Sequence, residues 1–201
     1  MPDLLSCLPM ATKGKQEVEI KFAVRDKKAL TRSLHAAGFR QKTRRTPETN
    51  ILFDTPERAI SSRGEVLRIR LYGKVWTLTH KSQGTAGPHK LRTETEMTIS
   101  DGDALASIFG ALGLQPSFRY EKFRSEWTDG KGDVVVDETP IGDYGEIEGP
   151  PGWIDRTAKR LGIAPSAYIT ASYAGLFYEW KQRTKNPAME MTWKKIKKSA
   201  K

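Results

Sequence analysis

Acidic and basic residues recur along this sequence with a spacing that could hold a metal ion and an anion together. Three segments each carry two glutamates separated by one residue, namely Glu17–Glu19, Glu94–Glu96 and Glu146–Glu148. Cationic residues occur with similar spacing at Lys21, Arg68, Arg70, Lys81, Arg92, Lys122 and Arg124. Hard divalent cations prefer carboxylate oxygens, whereas arginine and lysine bind phosphate groups. The pattern therefore indicates a site for a metal-bound polyphosphate.

These side chains need β-strands to position them, because residues two apart share one face of a strand. Residues 16–24 alternate strictly, with apolar Val18, Ile20 and Phe22 opposite the charged set. We predict further strands at 39–45, 49–54, 66–71, 75–81, 90–99, 118–127, 134–137 and 144–148. Helices are predicted at 26–38, 101–113, 150–161 and 171–183. The lack of regular strand–helix alternation favours an antiparallel α+β domain.

The charged strand faces allow two arrangements. In a closed barrel, alternate residues point into the lumen and surround one polar ligand. The six glutamates and seven cations would then nearly cancel, which suits a divalent cation and a polyanion bound together. On an open sheet, the same residues would form solvated ion pairs, each contributing only about 0–1 kcal/mol.

The net charge has a different distribution from the strand charges. The chain has 201 residues and a formal net charge of +10. Eight basic residues and one acid, Glu190, fall within residues 181–201. We therefore predict a folded domain at 15–183, preceded by a disordered lead at 1–14 and followed by a basic disordered tail at 184–201. Nucleic acid would be contacted only through this tail, in a salt-dependent manner.

Several classes of protein are excluded by composition. A single cysteine, Cys7, rules out an internal disulfide framework and a cysteine-based zinc site. No apolar run approaches the roughly 20 residues that span a bilayer, so no membrane partner is predicted. We expect a soluble, cytoplasmic protein, and the sequence leaves its oligomeric state open.

The charged segments lie within motifs that resemble the CYTH domain family, also called the triphosphate tunnel metalloenzymes. Residues 17–21 match its ExExK signature, and Leu52-Phe53-Asp54-Thr55-Pro56 is similar to its FDTP segment. The remaining similar segments follow in the family's order at 67–70, 78–81, 92–96, 121–124, 136–142 and 145–148. Thiamine triphosphatases, inorganic triphosphatases and class IV adenylate cyclases belong to this family.

The resemblance implies an eight-stranded antiparallel β-barrel, a tunnel with flanking helices, that binds a triphosphate with Mg²⁺ or Mn²⁺. Catalytic roles are implied for Lys21, Glu17 and Glu19. The implied phosphate-binding residues are Lys21, Arg68, Arg70, Lys81, Arg92, Lys122 and Arg124. The implied metal ligands are Glu17, Glu19, Glu94, Glu96, Asp137, Glu146 and Glu148. Glu96 could instead anchor a neighbouring basic side chain, and Asp137 could have a supporting role.

Three functions remain open at this point. Attack of water on the terminal phosphorus would make the protein a metal-dependent triphosphatase, acting on inorganic, thiamine or nucleoside triphosphate. Attack of a ribose hydroxyl on the α-phosphorus would make it a class IV adenylate cyclase. A protein that only binds polyphosphate or nucleotide is the third alternative. We favour hydrolysis, because no adenine pocket is recognisable and residues 10–16 lack the His-Phe pair associated with the cyclase subgroup.

Overall fold

The computed structural model of the protein describes residues 14–85 and 87–199, with the side chains of residues 197–199 left aside. The lead predicted at residues 1–14 lies, except for Gly14, outside the described residues. Eight strands form the centre of the fold. They are Lys15–Val24 (β1), Arg40–Asp54 (β2), Val66–Tyr72 (β3), Val75–Lys81 (β4), Lys90–Ile99 (β5), Gln115–Thr128 (β6), Asp133–Thr139 (β7) and Gly142–Glu148 (β8).

The described residues also form five α-helices. They are Lys27–Ala36 (α1), Gly102–Ala111 (α2), Pro151–Arg160 (α3), Tyr173–Thr184 (α4) and Trp193–Ser199 (α5). Asp26 caps α1 by accepting a hydrogen bond from the backbone N–H of Ala29 at 3.0 Å, and Asp101 caps α2 in the same way. No helix in the described part of the chain is both long and apolar enough to cross a membrane.

The strands close into an antiparallel barrel in the order β1-β5-β4-β3-β2-β6-β7-β8. Both edges of β1 are paired, with β5 over residues 15–19 and with β8 over residues 19–24. Gly73 turns the chain between β3 and β4 with a φ of 61°, a conformation that glycine adopts without steric cost. The predicted eight-stranded antiparallel barrel with flanking helices is confirmed.

The outer face of the barrel and one of its ends are covered by helices. On the outside, Ile20 and Phe22 of β1 pack with Leu34 of α1 and Ile154 of α3. At one end, the inward-facing Phe118 and Tyr120 of β6 pack against α4, in a cluster that also contains Tyr173, Leu176 and Phe177. The charged lumen is thus bounded by an apolar layer that excludes water from these two sides.

The second strand differs from the prediction. Two separate strands with a break near Pro47 were expected, but β2 runs continuously from Arg40 to Asp54. Its pairing with β6 shifts register between Gln41 and Thr43 and again between Thr43 and Thr46. Pro47 itself stays in register with Phe123 of β6, and its carbonyl accepts a hydrogen bond from the backbone N–H of Gly73 at 2.9 Å.

The C-terminal segment (residues 186–199) also differs from the prediction, because it is ordered and packed. Ala188, Met191 and Ile196 are buried against the α4 end of the barrel. β7 pairs with β6 only from Phe123 onwards, which leaves an earlier edge of β6 open. The backbone of Met191 fills this edge, because its N–H donates to Arg119 and its carbonyl accepts from Glu121, both at 3.0 Å. The expectation of a disordered tail was therefore wrong for this segment.

Candidate functional site

A cavity of about 1110 Å³ occupies the barrel and is lined mainly by charged side chains. Most of the predicted site residues lie on its wall. They are Glu17, Glu19, Lys21, Arg68, Arg70, Lys81, Glu94, Glu96, Lys122, Arg124, Glu146 and Glu148. The strand alternation therefore directs both sets of charges into one lumen, as the closed-barrel arrangement predicts.

Three carboxylates form a compact group on one side of the cavity. Glu17 and Glu19 of β1 and Glu148 of β8 have oxygens that all lie within 4.8 Å of one another. We refer to these three residues as the carboxylate triad. Glu148 faces Glu19 across the β1–β8 pairing, so the barrel register itself brings the triad together.

Glu148 is the member of the triad whose charge is least compensated. Among the described side chains, no lysine or arginine forms an ion pair with it. Burial, reinforced by the negative charge of Glu146, raises the pKa of Glu148 to about 8. Burial and the neighbouring carboxylates thus disfavour the ionised form of Glu148, which a bound cation would stabilise.

Lysines neutralise the other two members of the triad. Lys81 lies 2.7 Å from Glu17 and 2.9 Å from Glu94. Lys90 lies 3.2 Å from Glu19. Burial lowers the pKa of Lys90, and the attraction of Glu19 offsets only part of this effect.

Glu146 lies beside the triad but is held by two cations. Lys21 approaches it at 2.8 Å, and Arg124 donates a hydrogen bond to its other oxygen. Burial opposes ionisation of Glu146, but Lys21 and Arg124 hold its pKa well below the usual range. Burial would likewise lower the pKa of Lys21, yet Glu146 and Glu19 raise it above the ordinary value. Both groups therefore remain charged.

Asp137 is completely buried, in contact with Lys122 and Arg124. Arg124 binds both of its oxygens, at 2.8 and 2.6 Å, and Lys122 donates at 2.9 Å. The hydroxyl of Tyr173, at the start of α4, donates to it at 2.6 Å. Asp137 thus faces inward as expected, but its contacts orient Lys122 and Arg124, and it lies outside the triad.

The opposite wall carries an arginine–glutamate network. Arg70 donates to both oxygens of Glu96, at 2.9 and 3.0 Å, and Thr79 donates to the same carboxylate at 2.7 Å. Arg68 lies 3.7 Å from Glu94 and 3.6 Å from Glu96. The geometry therefore supports the anchoring alternative for Glu96, and neither Glu94 nor Glu96 is part of the carboxylate triad.

Arg92 does not line the cavity, unlike the other predicted phosphate-binding residues. Its guanidinium lies close to Gly84, in the loop between β4 and β5. A Cβ atom placed on Gly84 would be 3.5 Å from this guanidinium. The buried Nε atom of Arg92 lacks a hydrogen-bond acceptor among the described residues.

Lys90 and Glu48 are among the charged residues in or beneath the lumen that were not predicted from the sequence. Lys90 has the same strand parity as Arg92 and Glu94, so extending the alternation of β5 by one step would have found it. Glu48 is buried beneath the cations, 3.4 Å from Lys122 and 3.7 Å from Arg124. Glu48 was not predicted because it falls within the break that was expected in β2.

The closed antiparallel barrel defines a tunnel protein. Cationic side chains in its lumen can bind an anion, and the carboxylates beside them can bind a cation. Comparison with known families identifies the class. The CYTH domain matches residues 15–152, and the chain therefore belongs to the CYTH domain family. The family predicted from the motifs is confirmed.

Similar proteins occur in several organisms. The Aeromonas hydrophila protein named adenylate cyclase CyaB is 30% identical over 139 residues, which span 67% of this chain and 69% of that protein. The solved structure of the PH1819 protein from Pyrococcus horikoshii has a TM-score of 0.70 and 23% identity, and covers 81% of this chain and 98% of its own. The Hippeastrum protein HpAC1, described with a dominant triphosphatase activity, has a TM-score of 0.62 and 20% identity, covering 81% and 95%.

Proposed function

We infer that this protein hydrolyses a triphosphate bound in the tunnel, with a divalent cation as cofactor. The observation that carries this proposal is the carboxylate triad, whose oxygens lie within 4.8 Å of one another, on the wall of a cavity that is also lined by several lysines and arginines. A site for an anion alone would gain nothing from three clustered glutamates. The triphosphatase activity described for HpAC1 is consistent with this function.

The triad fits Mg²⁺ or Mn²⁺ by its donor chemistry. All three groups offer carboxylate oxygens, which these hard cations prefer, and Glu148 has no cationic partner among the described side chains. When bound, the cation would polarise a phosphoryl oxygen and neutralise charge on it. Of the seven predicted ligands, Glu17, Glu19 and Glu148 would hold it, because their oxygens lie within 4.8 Å of one another. Among the described residues, Glu94, Glu96, Asp137 and Glu146 are not part of this cluster.

The cationic residues would bind and orient the triphosphate. Arg68 and Arg70 approach from one wall, and Lys122 and Arg124 from the other. Each group is held in place by a carboxylate, so the positive charges are positioned before the substrate arrives. Charge of this kind stabilises the transferred phosphoryl group and the leaving phosphate in phosphoryl transfer. Lys21 lies between Glu146 and the aromatic ring of Tyr173, 4.7 Å from the ring centroid.

Adenylate cyclase is the second candidate, because the Aeromonas relative carries that name. Formation of cyclic AMP requires the adenosine to be held so that its ribose hydroxyl reaches the α-phosphorus. The aromatic residues that line the cavity within the described chain are Tyr120 and Tyr173. Both are buried in the apolar cluster at the α4 end, so they do not offer a stacking platform for adenine. This favours hydrolysis.

The test is release of orthophosphate from inorganic triphosphate, thiamine triphosphate and ATP in the presence of Mg²⁺ or Mn²⁺. We expect turnover to disappear when EDTA removes the metal. Glu17→Gln and Lys21→Ala should each lower kcat by roughly 100-fold or more, since each removes charge from the reacting site.

Matched variants outside the tunnel provide the control. Glu65→Gln and Lys27→Ala remove the same charges from exposed ion pairs with Arg63 and Glu138, and we expect full activity from both. Equal losses in the tunnel and surface variants would contradict the assignment, as would turnover that persists in EDTA.

A further inference from the structure

Lys90 forms the looser of the two lysine ion pairs that neutralise the carboxylate triad. Its Nζ atom lies 3.2 Å from one oxygen of Glu19. Lys81, by comparison, donates to both oxygens of Glu17, at 2.8 and 2.7 Å, and also reaches Glu94 at 2.9 Å. Lys81 is therefore anchored by two carboxylates, whereas Lys90 depends on one.

The position of Lys90 allows its ammonium group to move. It is the first residue of β5 and directly follows the loop that contains Gly84 and Gly87. Its side chain lines the cavity with 12% exposure. A lysine carries its charge on a flexible four-carbon stem, so the ammonium can leave Glu19 and stay within the lumen without any rearrangement of the barrel.

We propose that Lys90 is an internal counter-ion that a divalent cation displaces from Glu19, after which its ammonium group binds the triphosphate. The inference rests on the proposed function. A cation on the triad and the ammonium of Lys90 would compete for the same carboxylate, and their like charges repel each other. The displaced ammonium gains a new partner when the triphosphate occupies the cavity. Lys90 therefore opposes metal binding alone and supports triphosphate binding.

This role predicts effects of opposite sign on the two ligands. Lys90→Met keeps the length of the side chain and removes its charge. We expect its affinity for Mn²⁺ alone, measured by isothermal titration calorimetry on the full-length protein, to rise roughly tenfold because a competing charge is gone. Its affinity for imidotriphosphate, a non-hydrolysable analogue, should fall roughly tenfold at saturating Mn²⁺.

Lys27→Met is the matched control. Lys27 forms an ion pair with Glu138 at 2.8 Å on the outside of the barrel, so the change in net charge is the same but the triad is untouched. Neither affinity should change in this variant. Circular dichroism checks that both variants fold, and Lys90→Gln is the second variant at the tunnel position.

Two results would overturn the proposal. If Mn²⁺ binds Lys90→Met and Lys90→Gln no more tightly than the wild type, Lys90 does not compete at Glu19. If imidotriphosphate binds the variants as tightly as the wild type, its ammonium does not reach the phosphates. Failure of the proposed function would look different: the wild type would bind Mn²⁺ and imidotriphosphate with these charge effects but would not turn over any triphosphate.

Discussion

Glu48 shows how a single buried charge can hold the cationic side of the tunnel together. It is 1% exposed, accepts a hydrogen bond from Asn50 at 2.8 Å, and lies close to Lys122 and Arg124. Burial disfavours its ionisation, but the surrounding lysine and arginine charges lower its pKa to about 2. The carboxylate therefore stays charged under ordinary conditions and reduces the repulsion between the cations above it.

We predict that Glu48→Gln lowers the free energy of unfolding by about 3 kcal/mol at neutral pH, because it leaves the buried cations without a partner. A carboxylate with a depressed pKa stabilises the folded state above its unfolded pKa, which is ordinarily 4.5, and this contribution is lost as the pH falls through about 2. The difference between wild type and variant should therefore shrink on acidification below pH 4.5. Urea unfolding at neutral pH and at about pH 3 measures it.

Glu65→Gln is the control for this prediction, because Glu65 pairs with Arg63 on the exposed surface. We expect no measurable change in its unfolding at either pH. A Glu48→Gln protein as stable as the wild type at neutral pH would show that Glu48 is not a counter-ion of the cations.

The tunnel elements differ in how well their sequences reveal them. β1 and β5 alternate strictly, so spacing alone predicts that Glu17 and Glu19 share one strand face and that Glu94 and Glu96 share another. β2 could not be predicted as one strand, because Pro47 interrupts the pattern and the register shifts are set by the pairing with β6. Glu48 was not predicted to lie in the lumen for this reason.

The C-terminal segment escaped prediction for a related reason. Its burial depends on Ala188, Met191 and Ile196, which are separated by polar and charged residues without a regular period. What positions the segment is the open edge of β6, a feature of the barrel that only the three-dimensional pairing reveals. Composition correctly located the basic residues but could not indicate that the segment packs.

We predict that Met191→Ala destabilises the protein by about 2–5 kcal/mol, because it removes a fully buried side chain from the cluster at the α4 end. Thermal unfolding followed by circular dichroism measures the effect. Met189→Ala is the control, since Met189 is 72% exposed two residues earlier and its loss should leave the melting temperature unchanged. Equal melting temperatures for wild type and Met191→Ala would mean that the C-terminal segment does not stabilise the barrel.

At the scale of the whole molecule, closure of the barrel brings the charged side chains together around one cavity. Lysines and arginines of β1, β3, β4, β5 and β6 line one cavity together with glutamates of β1, β5 and β8, and their charges nearly cancel. Such a lumen accommodates a divalent cation and a triphosphate together more readily than either alone, because the pair disturbs the balance less. Closure itself was predicted only through the resemblance to the CYTH family, since alternation is equally compatible with an open sheet.

Phosphorus NMR of the products formed in Mg²⁺ tests the central claim most directly. Inorganic triphosphate, thiamine triphosphate and ATP are each incubated with the wild type and with Glu17→Gln. We predict that the wild type cleaves at least one triphosphate to orthophosphate and the corresponding diphosphate, with little product from the variant. Cyclic AMP and pyrophosphate from ATP, or tight binding of all three compounds without any turnover, would contradict it.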